Sequence, residues 1–234
     1  MIDELKKEIK KTIDPQKAQL FQRFFKTEKG GYGENDVFLG LTVPKARFIA
    51  RQFNNLTLPE VKTLLTSKFH EERLIALMIL VLQFEKGDIQ TREKIFEFYC
   101  KHTKYINNWD LVDLSAYKIV GEYLFDKDRS ILYTFAVSKN IWERRISIVS
   151  TYFFIKQNQF KDTFALSELL LNDKEDLMHK AVGWALREMG KRVSKEELIE
   201  FLKKNYSRLP RTTLRYAIEH FPPETRKKYL KGQF

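Results

Sequence analysis

The chain has 234 residues with nine Gly, six Pro and one Cys, and its 42 Lys and Arg outnumber its 31 Asp and Glu, a formal net charge of +11. That length gives ample core for one large domain or two small ones, and so little Gly and Pro disfavours a fold of many short strands. The lone Cys100 excludes an internal disulfide and suits a reducing, cytoplasmic compartment, while the cationic excess predicts attraction to a polyanion: nucleic acid, anionic lipid or acidic protein.

Residues 2–12 place Ile2, Leu5, Ile9 and Ile13 on one helical face. The same opening segment carries acids and no apolar run, unlike a signal peptide. Pro15 breaks the chain, and a second helix is expected over 16–27 with Leu20, Phe21, Phe24 and Phe25 inward. "EKGGYGEND" (28–36) reads as a loop. In "FLGLTVPKARFIARQF", Pro44 suits a first helical turn and Thr42 a cap. Thr57 and Glu60 have capping-box spacing, with Pro59 in the first turn of that helix. Further helices are expected at about 58–67, 70–86, 88–103, 107–125, 128–139, 141–157, 161–171, 174–191, 194–206 and 210–220, with no convincing strand pair. The longest apolar run, "LIALMILVLQF" (74–84), is too short to span a bilayer.

"TSKFHEERLIALMIL" (66–80) and "VSKNIWERRISIVST" (137–151) align with Ser67-Lys68 on Ser138-Lys139, Glu72-Arg73 on Glu143-Arg144 and Ile75 on Ile146. "LNDKEDLMHKAVGWAL" (171–186) has the same outline of short helix, polar turn and longer apolar helix. Recurring helix pairs predict an all-α, right-handed α-solenoid of HEAT-like or armadillo-like repeats, a single domain over 1–234 with a basic concave groove. A non-repeating helical bundle is the alternative. In the solenoid reading Trp109, Arg145 and Trp184 lie near the first turns of three repeat helices, one repeat apart, in a row along that groove.

Trp109 and Asp113 are four apart, so on a helix an indole and a carboxylate share a face, a pairing that suits a flat cation. A helix start also accounts for the segment: Asn107 or Asn108 would cap it, and acids in its first turn answer the helix dipole. Arg144 and Arg145 point about 100° apart and need not share a role; either could meet phosphate or pair with Glu143 or Asp162. Trp184 follows Gly183 among Lys180, Arg187, Lys191 and Arg192, an interleaving that suits nucleic acid, while the glycine fits equally a close helix contact. There is no P-loop and no GxGxxG, "HEER" (70–73) lacks the second histidine of a zinc-protease motif, and four scattered histidines predict neither metal nor cofactor.

With these residues collected, the chain resembles the AlkD-type DNA alkylation-repair glycosylases. "NNWDLVD" (107–113) looks like that family's Trp-Asp-x-x-Asp segment, "NIWERRISIVSTYFFIK" (140–156) its arginine helix, and "HKAVGWALREMGK" (179–191) its second tryptophan helix. "GYGENDVFLGLTVPKAR" (31–47) is similar to its entry segment. The resemblance implies HEAT-like repeats around a basic DNA groove and a base-excision enzyme that releases N3- and N7-alkylated purines from double-stranded DNA, leaving an abasic site. It implies Asp113 as catalytic acid, Trp109 and Trp184 as flanking aromatics, and Arg145 as the arginine beside the lesion. Arg47, Lys45, Arg144, Lys180 and Arg187 would be DNA contacts, and the protein a monomer away from membranes. Two other readings fit the same residues: a non-catalytic binder of branched or damaged DNA, and a HEAT-type protein-interaction module.

Overall fold

In the computed structural model, which describes residues 1–233, the chain is all-α: fourteen α-helices and no strand among the described residues, as paired helices of the HEAT-like repeat class require. The one β feature among them is an isolated bridge between Val37 and Phe69. No helix of the described residues is long and apolar enough to cross a membrane. The residues gather into two compact units, Met1–Ser115 and a second beginning at Ala116.

The first unit holds α1 (Ile2–Lys11), α2 (Pro15–Phe24), α3 (Val43–Gln52), α4 (Leu58–Leu65), α5 (His70–Lys86), α6 (Ile89–Lys101) and nearly all of α7 (Trp109–Ala116). At its centre lies α5, packed by α3, α4 and α6 and buried through all but its last turn. Its sequence is apolar on every side after a polar first turn, the pattern of a helix surrounded by protein. Pro15 starts α2 rather than merely interrupting the chain, with Asp14 Oδ1 capping the Lys17 N–H at 3.1 Å. The Thr57–Glu60 capping box forms as its spacing predicts, whereas Thr42 sits at its N-cap position without a side-chain cap bond. The expected inward stripe of α2 is half right. Phe25 is buried, but Leu20 and Phe24 are 61% and 64% exposed, because they face the pocket described below rather than a packed helix.

The second unit continues with a π turn (Tyr117–Gly121), α8 (Ser130–Ala136), α9 (Ile141–Lys156), α10 (Lys161–Leu170), α11 (Asp176–Arg192), α12 (Lys195–Asn205), α13 (Arg211–Ala217) and α14 (Pro223–Lys231). Here α9 is packed by the π turn, α8, α10 and α11, and α11 by α9, α10, α12 and α13. The last helix, α14, has no counterpart among the predicted elements; its composition is strongly polar, so apolar periodicity gives little signal.

The repeat suggested by sequence has a structural mechanism. Ser67 and Ser138 hydroxyls and the Asp173 carboxylate each accept the N–H two residues on, from Phe69, Asn140 and Glu175, at 3.0–3.1 Å. Six residues after each capping residue, Arg73, Arg144 and His179 bond to the carbonyl of that same residue, at 2.9, 2.9 and 2.6 Å. These starts of α5, α9 and α11 are therefore equivalent, spaced 71 and 35 residues apart. The equivalence corrects the expected register. Trp109 opens α7 and Arg145 is the fifth residue of α9, but Trp184 is the ninth of α11, two turns in. The fifth positions of α7, α9 and α11 are Asp113, Arg145 and Lys180.

Candidate functional site

In the first unit Trp109 and Asp113 line one pocket of about 710 Å³, with Phe21, Phe24, Phe25, Phe38 and Leu114 among its walls and the buried His70 and Asp110 also in its lining. Trp109 stacks on Phe25 at 5.3 Å between centroids and meets Phe24 edge-on at 6.0 Å. Its indole Nε1–H points to the Tyr32 hydroxyl at 3.3 Å, and that hydroxyl donates to the Phe24 carbonyl at 3.2 Å, so the glycine loop is tied to the indole. The indole is thus half-buried: neither wholly core nor a free surface ring. Arg47 and Lys45 are exposed on α3, and Arg47 follows the pocket residue Val43 by one turn, on the same helical face.

Beneath the pocket lies a polar network that the sequence reading did not assemble. Asp36 accepts Arg73 Nη2 at 2.5 Å and the side-chain amides of Asn107 and Asn108 at 3.1 Å each. His70 sits between Asp36 and Asp110, its Nδ1 3.2 Å from one carboxylate and its Nε2 2.8 Å from the other. Phe38 stacks on the imidazole at 4.5 Å. Next to it, Glu71 accepts the backbone N–H groups of Leu39, Gly40 and Leu41 at 2.8–3.2 Å and so fixes the loop that enters α3. Gly40 is needed there: its φ is +86°, and a Cβ would lie 2.1 Å from the Asp14 carbonyl oxygen. His70, Glu71 and Arg73 of "HEER" are therefore structural anchors, and Asn107, Asn108 and Asp110 do more than cap a helix. At the far end of α7, the Tyr99 hydroxyl meets Ser115 Oγ at 2.9 Å, and burial pushes that hydroxyl's pKa up.

Burial opposes the charge on His70, but the Asp110 carboxylate outweighs it, aided by hydrogen bonds to both acids, and the pKa rises to about 9. Burial likewise raises Asp36, yet the bond from His70 and the Arg73 charge hold it below the usual carboxylate range. A raised histidine pKa gives stability that is complete below the unfolded value near 6.5 and declines as pH rises toward about 9. Urea midpoints measured across that window are expected to fall with pH in the wild type and to flatten in His70→Gln.

In the second unit Arg145 is 8% exposed and donates to the Leu177 carbonyl at 2.9 Å. Trp184 is half-buried against Tyr152 at 5.0 Å, Tyr152 meets Tyr117 at 5.3 Å, and the Arg192 guanidinium lies over Tyr152 at 5.4 Å. Tyr117 and Tyr152 thus extend an aromatic run that sequence reasoning missed, since Tyr152 sits inside an apolar stretch. Arg144 is clasped by Asp173 at 2.6 Å, Lys180 pairs with Asp176 at 2.7 Å, and Arg187 with Glu188 and Glu219. A phosphate reaching these three cations would have to exchange with a carboxylate. Gly183 serves a close helix contact: a Cβ would lie 2.5 Å from Tyr216 Cβ and 2.7 Å from the Thr213 oxygen of α13. Gly183→Ala gains at most ~1 kcal/mol of helix propensity, and the overlap costs about 1–3 kcal/mol, so a net loss of stability is expected in urea unfolding.

The family model described as "DNA alkylation repair enzyme" matches residues 5–221. This chain belongs to the DNA alkylation repair enzyme family. Its place in alkylation repair accords with the basic composition, and the resemblance seen in "NNWDLVD" and the two later helices falls inside the matched span. A solved structure described as "Predicted DNA alkylation repair enzyme from Enterococcus faecalis" shares the fold, with a TM-score of 0.71, 15% identity, and coverage of 91% of this chain and 98% of that one. No curated protein matches the sequence. Among the described residues, no group of three or more His, Cys, Asp or Glu could hold a metal ion.

Proposed function

We propose that the protein is a monofunctional DNA glycosylase that hydrolyses the N-glycosidic bond of cationic N3- and N7-alkylated purines in duplex DNA. The observation that carries this reading is the carboxylate of Asp113 beside the indole of Trp109 on one aromatic pocket, in a chain of net charge +11 that belongs to a DNA alkylation repair family. An alkylated purine is a cation and already a good leaving group. It needs no proton from a general acid, so one carboxylate can replace the pair used on ordinary glycosides. Asp113 stabilises the positive charge that develops on the sugar and orients the attacking water. Trp109 offers its ring face to the same charge. Trp184 packs against the DNA backbone, and Arg145 binds a phosphate flanking the lesion. Lys45 and Arg47, exposed, are the phosphate contacts that need no rearrangement, and Arg144, Lys180 and Arg187 engage after releasing their acids.

The test is release of free base from duplex DNA carrying 7-methylguanine, measured against uncatalysed depurination, and then across 3-methyladenine and larger adducts. Base release with an abasic product supports the glycosylase. Tight, salt-sensitive binding with no release would replace it by the non-catalytic DNA binder.

A further inference from the structure

α7 runs on without a break into the π turn (Tyr117–Gly121), and its first two turns carry both groups assigned to the pocket. Its entry is anchored from outside the helix. Asn107 and Asn108 are tied to Asp36, and Asp110 to His70, so three residues of one turn bond to groups on other segments. Asp110 and Asp113 are three apart and share a face, so the bond that fixes Asp110 also fixes where Asp113 points. Both nitrogens of His70 face carboxylate oxygens, whereas a neutral imidazole has a single N–H; the geometry calls for a doubly protonated ring. Charge then balances: Asp36 and Asp110 against Arg73 and the imidazolium.

We propose that His70 is the positioning residue of the α7 site: by bridging Asp36 and Asp110 it sets the rotation of α7 that turns Trp109 and Asp113 onto the pocket. The groups around it are Asp36 from the glycine loop, Arg73 and Glu71 from α5, and Asp110 and Asp113 from α7, with Phe25 and Phe38 covering the ring. Glu71 is turned to the backbone of residues 39–41, so Asp110 is the partner whose removal frees His70 to lose its proton.

The kinetic arm of the test rests on the glycosylase reading; the spectroscopic arm does not. In Asp110→Asn the amide oxygen still accepts the imidazole N–H, but the carboxylate that most favours the proton is gone, leaving the Asp36 bond against burial and the Arg73 charge. Single-turnover release of 7-methylguanine by this variant is expected to fall about 10-fold between about pH 6 and about pH 8.5, while the wild type changes little. In His70→Ala it is expected to fall about 10²-fold with DNA affinity kept. The Trp109 indole N–H resonance, assigned with Trp109→Phe, is expected to move in His70→Ala and to titrate over the same pH range in Asp110→Asn. The Trp142 and Trp184 resonances should stay in place. If His70→Ala fails to fold, Asp110→Asn decides alone. Base release by Asp110→Asn that is as fast and as pH-independent as in wild type overturns the proposal. If the wild type releases no base, the glycosylase reading falls, and a Trp109 resonance in Asp110→Asn that does not respond to pH overturns the positioning role by itself.

Discussion

Asp36→Ala is expected to cost about 3–5 kcal/mol of folding free energy, the range for removing one partner of a buried ion pair. Asp36 is 5% exposed and accepts bonds from four side chains: Arg73, His70, Asn107 and Asn108. Without it, the Arg73 guanidinium is left with the Ser67 carbonyl, the His70 imidazolium with Asp110, and two amides lose their acceptor. A domain is commonly stable by about 5–15 kcal/mol, so this loss is a large fraction of the whole. Urea unfolding followed by far-UV circular dichroism would measure it. The control is Asp88→Ala, which removes an exposed cap from α6 and should cost far less. If Asp36→Ala costs no more than the control, the network does not hold the first unit together. Asp36→Asn should stay near the alanine variant rather than the wild type, since one amide oxygen cannot receive four donors and its own N–H groups oppose them.

The same network shows where sequence reasoning reached its limit. Helix placement was legible because apolar periodicity, proline at first turns and capping spacing are local: the Thr57–Glu60 box and the start of α5 fall where expected. Asp113 and Trp109 were legible as a pair because four residues on a helix share a face. The Asp36–His70–Asp110 bridge joins residues 34 and 40 positions apart, and no periodic pattern links them. One signal was present: "HEER" heads a helix that is otherwise apolar on every side. Four polar residues on a helix of that kind must be buried, and buried polar groups need partners. The misplacement of Trp184 has a related cause. Trp184 is 39 residues after Arg145, a spacing that reads as one repeat, whereas the capping residues Ser138 and Asp173 that set the register are 35 apart, and the Asp173 bond is visible only in three dimensions. The outward turn of Leu20 and Phe24 is a third instance: an apolar stripe can line a pocket as well as a core, and periodicity does not separate the two.

Asp113→Asn is expected to slow single-turnover release of 7-methylguanine by about 10²–10³-fold, which corresponds to about 3–4 kcal/mol of transition-state stabilisation. The substitution is isosteric, so the fold should be retained and stability should change by no more than about 1 kcal/mol. What is removed is the negative charge, at the moment when the sugar becomes positive. Trp109→Ala should lose less, because an indole face contributes about 0.5–2 kcal/mol to a cation, about 2- to 30-fold in rate. The order therefore discriminates. A carboxylate that stabilises charge makes Asp113→Asn the worse of the two; a pocket that only grips the substrate makes Trp109→Ala the worse, since burial and stacking are then what is lost. Measuring both at saturating DNA separates chemistry from binding: the Asp113→Asn deficit should persist there, and a deficit that vanishes would mean that Asp113 binds substrate without acting on the bond. Equal rates for Asp113→Asn and wild type would remove Asp113 from the mechanism altogether. Alkylated purines make this test stringent, because their positive charge already lowers the barrier to departure; whatever rate Asp113 adds must come from the sugar side of the bond.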